Sequence, residues 1–208
     1  VTQSEQVQRQ LIPAVLRDID FWLQQRKAVD PRFEQLDIAE VNARIRLFGQ
    51  QAAELAGKSR RLDVPTAFTA GILHNMGRLA MFYADATALD QAIAACLARG
   101  ETLEALEGEL LGYDHAEVGG LLAKRWNLPA DIQGVVSRHH SAEPDDVTLA
   151  AVVSVADRFV TANGLQAGYI IPPAYGELRV PTPDFLQLSK QVDSLMELVK
   201  GSPAGVAA

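Results

Sequence analysis

A single cysteine, Cys96, stands among 208 residues, which excludes an internal disulfide and suits a reducing compartment. Its neighbours, AIAACLARG, read as the packing face of a helix, which speaks against a catalytic thiol. No stretch approaches the roughly 18 uninterrupted apolar residues of a membrane span. The start, VTQSEQVQRQ, has neither the basic end nor the apolar run of a secretory signal, so a cytoplasmic location is expected. It also has no initiator Met, and the chain reads as an excised part of a longer protein. Basic residues are outnumbered: 19 Lys and Arg face 26 Asp and Glu, for a net charge of −7. That balance argues against broad binding to nucleic acid or anionic lipid. Lys58, Arg60 and Arg61 make one small basic cluster, which reads as a solvated helix end. Strand-type alternation never persists beyond a few residues. With 48% hydrophobic residues, the chain is large enough for one sizeable core.

Helical periodicity dominates, and the expected fold class is all-α, a multi-helix bundle. Helices are expected over about 4–27, 37–58, 65–83, 86–99, 102–111, 115–127, 129–140, 146–162 and 183–199. Pro65 and Pro129 suit first helical turns, where a missing N–H costs nothing. Asp114 and Glu117 have capping-box spacing for a helix beginning at His115, and Asp145 and Asp146 can cap the helix carrying Asp157. Residues 29–37, VDPRFEQLD, form a turn, and 164–185 are too rich in Gly and Pro for regular helix. Three regions follow: an N-terminal helical segment over 1–36, a helical core over 37–163, and a strap with a docking helix over 164–208.

Histidine is scarce too, and none precedes residue 74. The four present, His74, His115, His139 and His140, all lie in the middle third. At about 100° per residue, Asn75 falls in the stripe of Phe68, Ile72, Leu79, Phe82 and Tyr83, with His74 on its flank. His115 shares a face with Val118, Gly119, Leu122 and Trp126; His139 follows Ile132, Val135 and Val136, with His140 at the edge. Asp157 borders the stripe of Leu149, Val153, Ala156 and Val160. On this reading Asn75, His115 and His139 point inward, while His74, His140 and Asp157 border the core. A buried polar side chain without a partner costs about 1–3 kcal/mol. Six such residues therefore satisfy one another, a metal or a ligand. A single inward histidine is more often just a satisfied core residue; the clustering is what lifts this set above that reading.

Three motifs in order, AFTAGILHNMGRLAMF, GYDHAEVGGLLAKRWNLPADIQGVVSRHH and VSVADRF, resemble the HDOD domain of bacterial signalling proteins, a branch of the HD superfamily of metal-dependent phosphohydrolases. The resemblance covers about residues 40–162 and implies an HD-domain-like bundle whose N-terminal part is shortened. In catalytic relatives a His-Asp doublet, an earlier His and a later Asp hold one metal, and further histidines serve a second. Here His74 matches the doublet's His, Asn75 stands in place of its Asp, and Asp157 matches the later Asp. His115, His139 and His140 match the additional histidines of the HD-GYP branch. The earlier His has no counterpart; counting back along the 37–58 helix puts its place near Arg44, which could pair with Asp157 in place of an ion. A neutral amide for a carboxylate weakens a cation site.

The resemblance thus implies a catalytically silent regulatory module acting on other signalling proteins or domains, with no cofactor expected and an oligomer compatible. Two alternatives stay open. One is a metal-dependent phosphohydrolase or phosphodiesterase, with Fe, Mn, Zn, Ni or Mg held by His74, His115, His139, His140 and Asp157. The other is a nucleotide-binding sensor without turnover, using Arg78, Lys124, Arg125 and Arg138 at helix ends; solvated helix faces are the plainer reading of those four.

Overall fold

The computed structural model describes residues 3–29, 31–34, 37–141 and 148–162. Eight α-helices run through them: α1 (Gln3–Val29), α2 (Ile38–Ser59), α3 (Val64–Leu73), α4 (Met76–Arg99), α5 (Leu103–Leu111), α6 (His115–Arg125), α7 (Ala130–Arg138) and α8 (Leu149–Ala162). A 3-10 turn, Pro31–Phe33, follows α1, and there is no strand among the described residues. The fold class is all-α, as expected. No helix among these residues is long and apolar enough to cross a membrane. The expected caps Asp145 and Asp146, the strap over 164–185 and the final helix over 183–199 lie outside the described residues.

One core joins the helices. Leu23, Phe33, Leu73, Leu89, Ile93, Leu106 and Ile132 are fully buried in it, and α1 contributes Ile12, Val15, Leu16 and Ile19. Helix α2 packs most extensively on α3, because Gly49 and Gly71 let the two backbones touch. A Cβ on Gly71 would lie 2.7 Å from the Phe48 carbonyl oxygen. Helix α6 crosses the start of α4 and packs on α7, and α8 lies against α2, α3 and α7.

The capping box of α6 is formed as expected: Asp114 accepts from the Glu117 N–H at 2.9 Å and Glu117 accepts from the Asp114 N–H at 3.2 Å. Replacing Asp114 with Ala is expected to cost about 1 kcal/mol, read as a lower urea midpoint with an unchanged slope.

The continuous helix expected over 65–83 is corrected. It breaks at His74 and Asn75, where α3 ends and α4 begins. The gap expected after residue 83 is instead a kink inside α4 at Asp85, which has φ −156° and ψ 90°. Asp85 restarts the helix by accepting from the Ala88 N–H at 3.0 Å, as an N-cap does. The break at 74–75 turns His74 into the core, only 1% exposed, rather than onto a flank. The same change of register leaves Tyr83 57% exposed instead of in the stripe. Trp126, the C-cap of α6, is also exposed, since the helix ends at Arg125 before it can turn the ring inward.

Candidate functional site

The end of α3, the starts of α4 and α6, the end of α7 and the middle of α8 bring His74, Asn75, His115, His139, His140 and Asp157 to one place in the core. His74, Asn75, His115 and His139 are buried, while the side chains of Asp157 and His140 keep 18% and 23% of their exposure. Rings pass contact along the group. His74 meets His139 edge-on with centroids 5.0 Å apart, and His139 lies 4.0 Å from His140 and 5.3 Å from His115.

Two halves can be distinguished by their hydrogen bonds. In the first, His74 Nδ1 donates to the Gly71 carbonyl at 2.7 Å, which leaves Nε2 for the centre. Asn75 Nδ2 lies 2.8 Å from that Nε2, and Asp157 Oδ1 lies 3.3 Å from it. Neutral His74 accepts from Asn75 through Nε2; protonated His74 donates from Nε2 to Asp157. Burial pushes the Asp157 carboxyl up, but the hydrogen bond from His74 and the imidazole charges facing it hold it well below the usual carboxylate range.

The second half is a histidine trio. His115 Nε2 lies 3.3 Å from His139 Nε2 and 2.7 Å from His140 Nε2. His139 Nδ1 donates to the Val136 carbonyl at 3.0 Å, so its Nε2 electron pair faces the trio. Burial lowers the affinity of His115, His139 and His140 for protons, and the neighbouring imidazoles and Arg78 add to it, while Glu104 and Asp157 oppose it at His140 and Asp157 does so at His139. Two neutral rings thus aim electron pairs at each other across 3.3 Å, which only a cation or a proton relieves.

A residue that the sequence reading missed completes this half. Glu107, on α5, is fully buried. Its Oε2 accepts from the His115 backbone N–H at 3.0 Å and from His115 Nδ1 at 2.5 Å. Its Oε1 sits 3.9 Å from Arg78 Nε. Burial pushes the Glu107 carboxyl up to about 7, against the pull of Arg78 and the His115 backbone hydrogen bond. The signal was present: Glu107 falls at helical spacing with buried Leu103 and Leu106, a core position for a carboxylate.

Arg44 does not join the group. Its guanidinium pairs with Glu40 one turn back on α2, so the expected ion pair with Asp157 is corrected: His74 faces that carboxylate instead. Of the basic residues expected to meet phosphates, Arg78 turns inward to Glu107, while Lys124 and Arg125 are exposed. Arg138 lines a surface hollow of about 460 Å³ between α7 and α8, together with Asp131, Ser141 and Thr148.

A tetrahedral ion with metal–nitrogen bonds of about 2.0–2.1 Å sets its ligand nitrogens about 3.3–3.4 Å apart. His115, His139 and His140 each offer a nitrogen, all within 4.8 Å of one another, and the His115–His139 edge of 3.3 Å matches. The trio fits a divalent ion in donor type and in that edge, whereas the His115–His140 edge of 2.7 Å is a hydrogen-bond distance that would have to open for both to ligate. The doublet half fits poorly, because Asn75 brings an amide where a carboxylate would serve.

The family model for the HDOD domain matches residues 19–142. The chain belongs to the HDOD domain family. Among solved structures, an HDOD domain protein of unknown function from Geobacter sulfurreducens is similar over 80% of this chain, with a TM-score of 0.56 and 21% identity. A "Putative phosphohydrolase" from Shewanella amazonensis is similar over 80% as well, with a TM-score of 0.53 and 29% identity. This HDOD chain spans 63% and 65% of those two proteins. No protein with a curated description matches it.

Proposed function

We propose that this chain is a regulatory HDOD module that works through contacts with other signalling proteins or domains and no longer hydrolyses phosphoesters at its doublet centre. One observation carries the reading: the ligand atom of the doublet, His74 Nε2, is closed from inside by Asn75 at 2.8 Å. In either protonation state of His74 its electron pair is engaged, by the Asn75 amide or by a proton shared with Asp157. An aspartate at residue 75 would offer charge to a cation, whereas the amide offers a donor to histidine. The pairing of Arg44 with Glu40 supports the same reading, since the matching place on α2 supplies no further ligand.

The test is hydrolysis of bis-p-nitrophenyl phosphate with excess Mn²⁺ or Fe²⁺. The wild type is expected to show no turnover above buffer, and Asn75→Asp to gain metal binding at the doublet. Metal-dependent turnover by the wild type, abolished in Asp157→Ala, would refute the reading.

A second reading, a metal-dependent phosphohydrolase with an atypical site, draws on the trio of His115, His139 and His140. The similar protein from Shewanella amazonensis, described as a phosphohydrolase, points the same way. An ion there would supply Lewis acidity. The first reading is favoured because His115 and His139 are sealed from solvent, leaving half-buried His140 and Asp157 as the members of the group that reach it.

A further inference from the structure

We infer that Glu107 is the positioning residue of the histidine trio: it fixes His115 in the tautomer that keeps its Nε2 electron pair open toward His139 and His140. A neutral imidazole carries one ring proton, and its place is set by whichever nitrogen has an acceptor. Among the described residues, His115 Nε2 meets the Nε2 atoms of His140 and His139, at 2.7 and 3.3 Å. Nδ1 faces a carboxylate oxygen at 2.5 Å, so the proton rests there. The same oxygen takes the His115 backbone N–H at 3.0 Å, which ties the ring's orientation to the first residue of α6. Arg78 Nε lies 3.9 Å from the other carboxylate oxygen, at ion-pair distance. A chain from α4 through α5 thus reaches the centre without presenting a side chain to it.

A plain structural role for Glu107 is hard to reconcile with its surroundings. Burying a carboxylate is costly unless its partners repay it, and a leucine there would continue the buried face of Leu103 and Leu106. His139 shows the cheaper solution, a backbone carbonyl holding Nδ1 at 3.0 Å. A carboxylate behind an imidazole makes the far nitrogen a stronger donor to a cation. The assignment does not depend on whether the chain hydrolyses anything, and its test reads no activity.

Nitrogen-15 histidine labelling of the metal-free full chain reports which ring nitrogen is protonated. In the wild type His115 is expected as the Nδ1–H form. In Glu107→Leu the proton of His115 is expected to move to Nε2, while His139, held by Val136, stays unchanged. Glu107→Gln, which keeps an acceptor oxygen, is expected to restore Nδ1–H. A wild type with His115 protonated at Nε2 overturns the inference, and so does an unchanged His115 in a folded Glu107→Leu. Where the leucine variant fails to fold, the wild-type tautomer decides alone. Failure here leaves the regulatory reading intact, since that reading stands on His74 and Asn75.

Discussion

Gly77→Ala is expected to destabilise the chain by about 3 kcal/mol or more, at the upper end of what overpacking costs. Helix propensity alone would favour the change by about 1 kcal/mol, since Ala is the better helix former. Space decides against it. A Cβ on Gly77 would sit 1.9 Å from the His115 carbonyl oxygen and 2.6 Å from the Gly119 nitrogen, both backbone atoms that no rotamer change can clear. Helix α6 must then move off the start of α4, carrying His115 away from His74 and Asn75. Gly108→Ala is the matched control: nothing lies within 4 Å of its Cβ, and it sits inside α5. That change is expected to stabilise by about 0.4–1 kcal/mol. Urea unfolding of both variants checks the pair, and a Gly77→Ala midpoint at or above the wild type's would refute the crossing.

The metal-free protein is expected to lose stability steeply as pH falls below about 6.5, the ordinary imidazole range. Burial keeps His115, His139 and His140 neutral in the folded chain at pH values where the unfolded chain protonates them. The unfolded state therefore binds more protons, and stability rises with pH across that window. Glu107 works in the opposite sense: its carboxyl, at about 7 when folded and 4.5 otherwise, holds a proton that the unfolded chain has released. His115 and His139, both held well below the ordinary imidazole value, against one glutamate leave one proton, and His140 adds to it. At about 1.4 kcal/mol per proton and pH unit, the slope between about pH 5 and 6 is at least about 1.4 kcal/mol per unit. Asp157 adds to the acid loss lower down: its depressed carboxyl contributes stability above the ordinary value of 3.8, lost as pH falls below it. Urea midpoints at pH 7.5, 6.5 and 5.5 read the slope. A flat profile, or greater stability at pH 5.5, would show that the histidines are not held neutral.

The legible parts of the site share a feature: each depends on a contact within a few residues or on an unbroken helix. The α6 cap needs only Asp114 and Glu117, three residues apart. His115 and His139 follow apolar stripes that run uninterrupted, and both are buried as those stripes require. His74 was harder, because its direction depends on a break in the helix. That break coincides with the passage of α6 over Gly77, a contact across 38 residues that no local pattern records. Glu107 lay in plain view at helical spacing, yet a carboxylate on a core stripe is normally read as a surface residue until its partner is known. Arg44 shows the converse error. A long cation can reach several carboxylates, and the nearest turn of its own helix, Glu40, won over Asp157.

The sequence by itself determined the all-α class, the place of most helices, the HDOD membership and the departure at Asn75. These rest on periodicity, caps and motif order, all carried by neighbouring residues. Only the tertiary structure decided that His74 is closed by Asn75, that the histidine trio meets nitrogen to nitrogen, and that Glu107 stands behind it. Ring orientation and proton placement depend on acceptors brought from other helices, and their strength depends on exclusion of water, which exists only after the chain has packed.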